Sequence, residues 1–206
     1  MKQGIFITFE GAEGAGKSTN IRFVASYFKR KKQPVLLVRE PGSTKVSEAI
    51  REVLLDPKNK GMAKEVELFL YLAARAQLVR EKILPALKGG KVVISDRYED
   101  STIAYQGFGE GNPLPVIEKL SKVARGSLKP DLTFVLDIDP QKGLKRGGRH
   151  DRVEKKSNSF HARVRHGFLA LAQKNKNRIV LLSAHEPLEK VQQKILGKLN
   201  EIFGSI

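Results

Sequence analysis

The chain has no cysteine. Disulfide frameworks and thiolate metal sites are therefore excluded, and a reducing compartment suits the composition. Long hydrophobic runs are missing too. Stretches such as Val35 to Val38 fall far short of the roughly 20 apolar residues that a membrane-spanning helix needs. The first residues, MKQGIFITFEG, enter a short β-rich run directly, without the longer apolar stretch and small-residue cleavage site of a secretory leader. The expectation is a cytoplasmic protein that makes no use of a membrane. Acidic residues are scarce beside basic ones, 22 against 38, and the formal net charge is +16. Such an excess has two readings: nucleic-acid binding, or an enzyme that handles polyphosphates and carries solvated lysines. The basic residues are scattered over 29–32, 58–64, 142–152 and 174–178. No aromatic side chains interleave with them in a pattern that stacks bases, which disfavours nucleic acid as the main partner. The sequence shows no internal repeat, no low-complexity segment and no lysine-rich tail.

What is present is an ordinary globular balance, 40% hydrophobic and 29% charged over 206 residues, the size of one domain. Apolar runs at 5–9, 35–38, 92–95, 132–136 and 179–182 read as strands without polar alternation. Between them lie helical patterns at 17–31, 46–55, 65–84, 99–105, 115–125, 141–146 and 160–173, with a last helix at 188–203. Gly107, Gly109 and Gly111 are expected to form a loop, and Pro41-Gly42 a tight turn that would accept a cis bond before Pro41. Continuous apolar strands alternating with helices predict an α/β fold: three layers, with a five-stranded parallel sheet covered on both faces. Ligands in such sheets bind at the carboxyl ends of the strands.

The segment GAEGAGKS, Gly11 to Ser18, matches G-x-x-x-x-G-K-[ST] between a predicted strand and a predicted helix. Glycines let the backbone turn and approach a phosphate closely, while amide N–H groups and a helix N-terminus face the anion. Lys17 can reach the terminal phosphates and the Ser18 hydroxyl can ligate Mg²⁺. Gly11, Ala12, Glu13, Gly14, Ala15, Gly16, Lys17, Ser18 and Thr19 are thus the candidate nucleotide cradle of a P-loop protein. Asp96 ends the run VVISD and reads as a second Mg²⁺ ligand, as a helix cap, or as both.

Over nearly its whole length the chain resembles the thymidylate kinases. The segments FEGAEGAGKST, REPGSTKVSEAIR, FLYLAARAQLV, SDRYEDSTIAYQG, KPDLTFVLDIDP, GLKRGGRHDRVE and FHARVRHGFLALA stand in that family's order and spacing. The resemblance implies transfer of the γ-phosphoryl group of ATP to dTMP, with Mg²⁺, in a homodimer whose long helix at 65–84 lies near the interface. It assigns Arg39 and Arg97 to the acceptor phosphate, although Arg39 would also serve in an ion pair. Phe69 is matched to the aromatic that stacks on thymine and Arg75 to the arginine that hydrogen-bonds the base. Ser101, Tyr105 and Gln106 line the nucleoside pocket, with Tyr105 crowding the 2′ position and Gln106 at the thymine edge. Taken alone, Phe69 and Tyr105 would be packing residues. Glu13 is placed near the acceptor sugar and phosphate, or else is an exposed loop carboxylate. Residues 146–156 correspond to a mobile lid, where Arg146 packs on adenine and Arg149 supplies the cation to the transferring group, with Arg152 as the other choice. Gly14 stands where some relatives carry an arginine, so the lid must provide that charge.

Two other readings remain: a broader deoxynucleotide kinase on the same scaffold, which Tyr105 and Gln106 disfavour, and a basic P-loop ATPase or GTP switch. The chain has no obvious guanine-reading N-K-x-D segment, and the expected cations and Mg²⁺ ligands argue against a module that binds without catalysis.

Overall fold

The computed structural model describes residues 4–147 and 151–204. Five strands, β1 (Ile5–Gly11), β2 (Val35–Arg39), β3 (Val92–Asp96), β4 (Leu132–Asp137) and β5 (Ile179–Ser183), form one parallel sheet in the order β2-β3-β1-β4-β5. Each crossover carries helix: α1 (Lys17–Arg30) follows β1, and α2 (Lys45–Leu55), α3 (Lys64–Leu78) and α4 (Leu84–Lys88) follow β2. After β3 come α5 (Glu99–Thr102) and α6 (Leu114–Arg125), after β4 come α7 (Pro140–Gly147) and α8 (Asn158–Lys174), and α9 (Leu188–Phe203) follows β5.

Successive residues of a strand point to opposite faces, so a sheet covered on both sides needs mostly apolar residues on both, and its buried polar ones are paired, as Thr8 is with Thr133 at 2.7 Å. In β1 the Ile7 and Phe9 side chains face Val24 and Phe28 of α1 and Ile195 and Leu199 of α9. Phe6, one residue along, packs with Leu78, Ile83 and Tyr98 on the opposite face. Val135 of β4 joins that second face against Phe160, Val164 and Phe168 of α8. Each such side chain contributes roughly 1.5–3 kcal/mol on full burial.

Two helical stretches differ from the sequence expectation. The pattern at 65–84 is not one α-helix: α3 ends at Leu78 and the chain passes through a π turn, Val79–Ile83, into α4. Pro85 supplies the reason, because its missing N–H and its ring are incompatible with a regular turn N-terminal to it. After α5 the backbone continues as a second π turn, Ile103–Gly109, where a loop through Gly107 and Gly109 was expected. Those two glycines serve packing. A Cβ on Gly107 would lie 2.5 Å from Leu114 Cδ2, and one on Gly109 would lie 2.6 Å from Phe160 Cε2. The bond between Glu40 and Pro41 is cis, as the tight turn allowed.

Candidate functional site

β1 has neighbours on both sides, and the chain leaves its carboxyl end toward α1. A crevice opens there, at the place where ligands bind in open parallel sheets. It is a cleft of about 340 Å³. Its walls come from the β1–α1 loop, the turn after β2, the ends of α2 and α3, and the segment after β3.

The loop from Gly11 to Gly16 bends as only glycine permits. Gly11, Gly14 and Gly16 have φ of 127°, 66° and 88°, values that L side chains rarely adopt. Gly14 also abuts α7: a Cβ there would lie 2.1 Å from the Gly143 carbonyl oxygen, and a Cβ on Gly143 would lie 2.3 Å from that of Glu13. Helix α1 begins at Lys17 behind Gly16 with no side-chain cap and no acidic residue in its first turn. Its first N–H groups therefore point at the cleft as anion donors. Glu13 through Thr19 line the cleft. Lys17 is buried, and its Nζ donates to the carbonyls of Gly11 (3.1 Å) and Ala12 (2.8 Å). Burial, with the nearby Arg97 guanidinium, pulls its pKa below the ordinary lysine value, while Glu13 and Asp96 act against that shift.

Arg97 stands at the centre. It leaves β3 with φ 72°, a backbone state of the kind that clusters at working sites. Its guanidinium donates to Gly11 O (2.9 Å), Ser101 Oγ (3.0 Å), Tyr105 OH (3.2 Å) and Glu13 Oε1 (2.5 Å). It lies 5.0 Å over the Tyr105 ring. Tyr105 is buried between Phe160 and Phe168, edge-on to both. Burial pushes its phenol pKa up, so the hydroxyl is neutral. Ser101 Oγ donates to Glu10 Oε2 (2.5 Å), and the Tyr98 N–H donates to Glu10 Oε1 (2.8 Å). Glu10, fully buried beneath the cradle, has a pKa pushed up to about 8, chiefly by desolvation and then by the Asp100 carboxylate.

On the facing wall, Arg75 is 2% exposed and holds Glu40 Oε2 through Nε (2.8 Å) and Nη2 (2.5 Å), 4.9 Å over the Tyr98 ring. Its buried Nη1 takes no protein partner among the described residues, and Arg75 lines the cleft. Gln106, 2% exposed, donates through Nε2 to Glu67 Oε1 at 2.8 Å. Arg39 lines the cleft from an exposed position and pairs with Glu48 at 2.8 Å, so the ion pair foreseen for it is present. Ser18, Asp96 and Arg146 line the same cleft.

One assignment is corrected. Phe69 is 56% exposed and does not line the cleft. Six residues separate it from Arg75, and on an α-helix that puts the two on different faces. Tyr71, four residues before Arg75, lines the cleft instead, and the i, i+4 spacing was the signal for it. Arg51 was also missed. It lines the cleft and donates Nη1 to Pro41 O at 2.9 Å. Arg149 lies outside the described residues. Arg152 is buried away from the cleft, donating Nε to Leu54 O at 2.7 Å and pairing with Glu67 at 2.7 Å, so it is an anchor and not a cation facing the donor.

Among the described residues no helix is long and apolar enough to cross a membrane, and no group of three or more His, Cys, Asp or Glu could hold a metal ion. The thymidylate kinase family model matches residues 9–195. A thymidylate kinase of Carboxydothermus hydrogenoformans is 44% identical over 205 residues, covering 98% of this chain and 100% of that one. One from Symbiobacterium thermophilum is 42% identical over 201 residues, covering 97% and 94%. The crystal structure of a thymidylate kinase from Ehrlichia chaffeensis superposes with a TM-score of 0.80 at 32% identity, covering 96% and 99%.

Proposed function

The chain belongs to the thymidylate kinase family, and from that premise we propose how its cleft converts dTMP to dTDP at the expense of ATP. The observation that carries the reading is Arg97: one guanidinium touches the phosphate loop at Gly11 and Glu13 and the nucleoside wall at Ser101 and Tyr105. A group so placed joins a donor half and an acceptor half.

The donor phosphates lie on the amides of Gly11 to Thr19 and the α1 N-terminus, with the Lys17 ammonium turned from its carbonyls onto the outer phosphates. The acceptor phosphate takes the Arg97 fork, with Arg39 and Arg51 as further cations on the same rim. Glu13 keeps Arg97 in register through its ion pair. Tyr71 offers its ring to the base, Arg75 offers Nη1, and Gln106 reads the base edge. Tyr105 is wedged by Phe160 and Phe168, so it cannot yield to a ribose 2′-hydroxyl. Ser18 and Asp96 are both oxygen donors on the cleft wall, a set that fits Mg²⁺ held largely by phosphates and water. When bound there, Mg²⁺ neutralises charge on the donor phosphate oxygens. Phosphate oxygen is already an adequate nucleophile, so alignment and charge stabilisation do most of the work.

The same reading carries one domain over residues 1–206, a lid at about 146–156 with Arg146 toward adenine and Arg149 toward the transferring group, and a cytoplasmic homodimer. The exposed Val66 and Phe69 on α3 and Val123 on α6 supply an apolar face for the second copy. The test is ADP release with ATP·Mg²⁺ against dTMP, dUMP, the ribose form of TMP, dCMP, dGMP and no acceptor. Turnover largely confined to dTMP, with dUMP weaker, is expected. Equal release with no acceptor, or release raised only by DNA or RNA, would overturn the reading.

A further inference from the structure

Glu67 is a carboxylate inside the protein, 1% exposed, on the inner side of α3. Burying it is costly without partners, and it has three. Oε1 accepts from Gln106 Nε2 at 2.8 Å, while Oε2 faces Lys156 at 2.9 Å and Arg152 at 2.7 Å. Lys156 also pairs with Glu110. Burial alone would raise the Glu67 pKa, but Lys156 and Arg152 pull it below the usual carboxylate range, so it is an anion at neutral pH.

An ionised carboxylate only accepts hydrogen bonds. The primary amide of Gln106 must therefore turn its nitrogen to Glu67, and its carbonyl end turns away. Oε1 of Gln106 accepts from no protein donor among the described residues, and Gln106 lines the cleft. A nucleobase there meets an acceptor. Thymine and uracil carry an N–H at position 3, whereas cytosine has a bare ring nitrogen at that position.

We propose that Glu67 is a positioning residue for base selectivity: it fixes the orientation of the Gln106 amide, so that the acceptor pocket accepts bases bearing an N3–H and rejects cytosine. This rests on the kinase reading above. A site built around one hydrogen-bonding pattern rejects the mismatched analogue strongly, because the mismatch leaves buried polar groups unpaired.

The variant Glu67→Gln tests it. Its amide can offer an oxygen to Arg152 and Lys156 or to Gln106, but not to both. With the cations holding that oxygen, its NH₂ faces Gln106 and turns the Gln106 amide over. The expected result is a fall of about tenfold or more in kcat/KM for dTMP, carried mainly by KM, with the dTMP-to-dCMP preference shrinking by a larger factor. The dTMP-to-dUMP ratio and the KM for ATP stay within about twofold, because neither depends on the N3 contact. A purely structural role would lower all acceptors together. In a Gln106→Met background the Glu67→Gln change should leave the dTMP-to-dCMP ratio where Gln106→Met alone puts it.

If Glu67→Gln does not fold, Glu67→Asp replaces it. That variant keeps a charge for Arg152 and Lys156 but withdraws it from Gln106, and it should shrink the same ratio. An unchanged dTMP-to-dCMP ratio in the folded variant, or an equal shift with and without Gln106, overturns the inference and leaves the kinase reading intact. Absence of dTMP-dependent ADP release by the wild-type protein overturns the kinase reading itself.

Discussion

At the scale of single residues, the proposed chemistry separates side chains that would touch phosphate from those that hold them in place. Lys17 is buried against two carbonyls of its own loop. Lys17→Ala should keep the fold and lower kcat by about 100-fold or more, the usual cost of removing one charge-stabilising donor; single-turnover kinetics beside a melting curve would show both. Tyr71 and Phe69 make a paired test. Base stacking is worth roughly 1–3 kcal/mol, so Tyr71→Ala should raise KM for dTMP by about 5- to 150-fold, whereas Phe69→Ala should leave it within twofold. Steady-state titration of dTMP reads both, and the reverse ranking would restore the original assignment. The motif residues of the cradle and the DRY segment were legible because their chemistry lies in contiguous letters. Phe69 misled because the resemblance alone assigned it, against a six-residue spacing from Arg75 that does not share a helical stripe. Glu10 and Glu67 were invisible, since only folding shows that a carboxylate is buried and which donors surround it.

Glu10 also sets a pH dependence. It binds a proton more tightly folded than unfolded, with Asp100 raising its pKa further and Ser101, Arg97 and the Tyr98 N–H opposing. Between the unfolded value near 4.5 and the folded value of about 8, the native state holds a proton that the unfolded state has released. Its contribution to stability is therefore fully present below about pH 4.5 and is lost as pH rises toward about 8. Urea unfolding from pH 5 to 8 should show that decline in the wild-type protein and a flatter curve in Glu10→Gln.

At the scale of elements, the strands were readable because a sheet covered on both faces makes them mostly apolar runs, with Thr8, Glu10, Ser95 and Thr133 as buried polar exceptions. The π turns at Val79–Ile83 and Ile103–Gly109 were not readable. The first depends on where Pro85 falls in a helix of otherwise regular pattern, and the second goes with close packing on Leu114 of the next helix and on Phe160, distant in sequence. The contact between the Gly11–Gly16 loop and α7 is likewise tertiary. Gly143→Ala drives a Cβ into the Glu13 carbonyl and should cost about 1–3 kcal/mol of stability, as overpacking does. KM for ATP and KM for dTMP should both rise several-fold, because Glu13 belongs to the phosphate loop and also pairs with Arg97. Calorimetry and a two-substrate kinetic matrix check the two halves of that expectation.

At the scale of the whole molecule, the +16 charge sits with a cleft whose rim carries Arg39, Arg51, Arg97 and Arg146, in keeping with phosphate-bearing ligands. The proposed homodimer has its own test. Phe69→Asp together with Val66→Asp puts two charges on the exposed face of α3 and should halve the mass seen by sedimentation equilibrium, with the cleft still able to bind dTMP. A wild-type protein already monomeric at micromolar concentration would remove that part of the reading. The backbone-to-backbone seam between Gly14 and Gly143 has a consequence for descent as well as for catalysis. A side chain at position 14 would collide with α7 before it could reach into the cleft. Neither glycine can be exchanged first without harm, so a side chain grafted at position 14 would have to come with a rebuilt α7 in the same step.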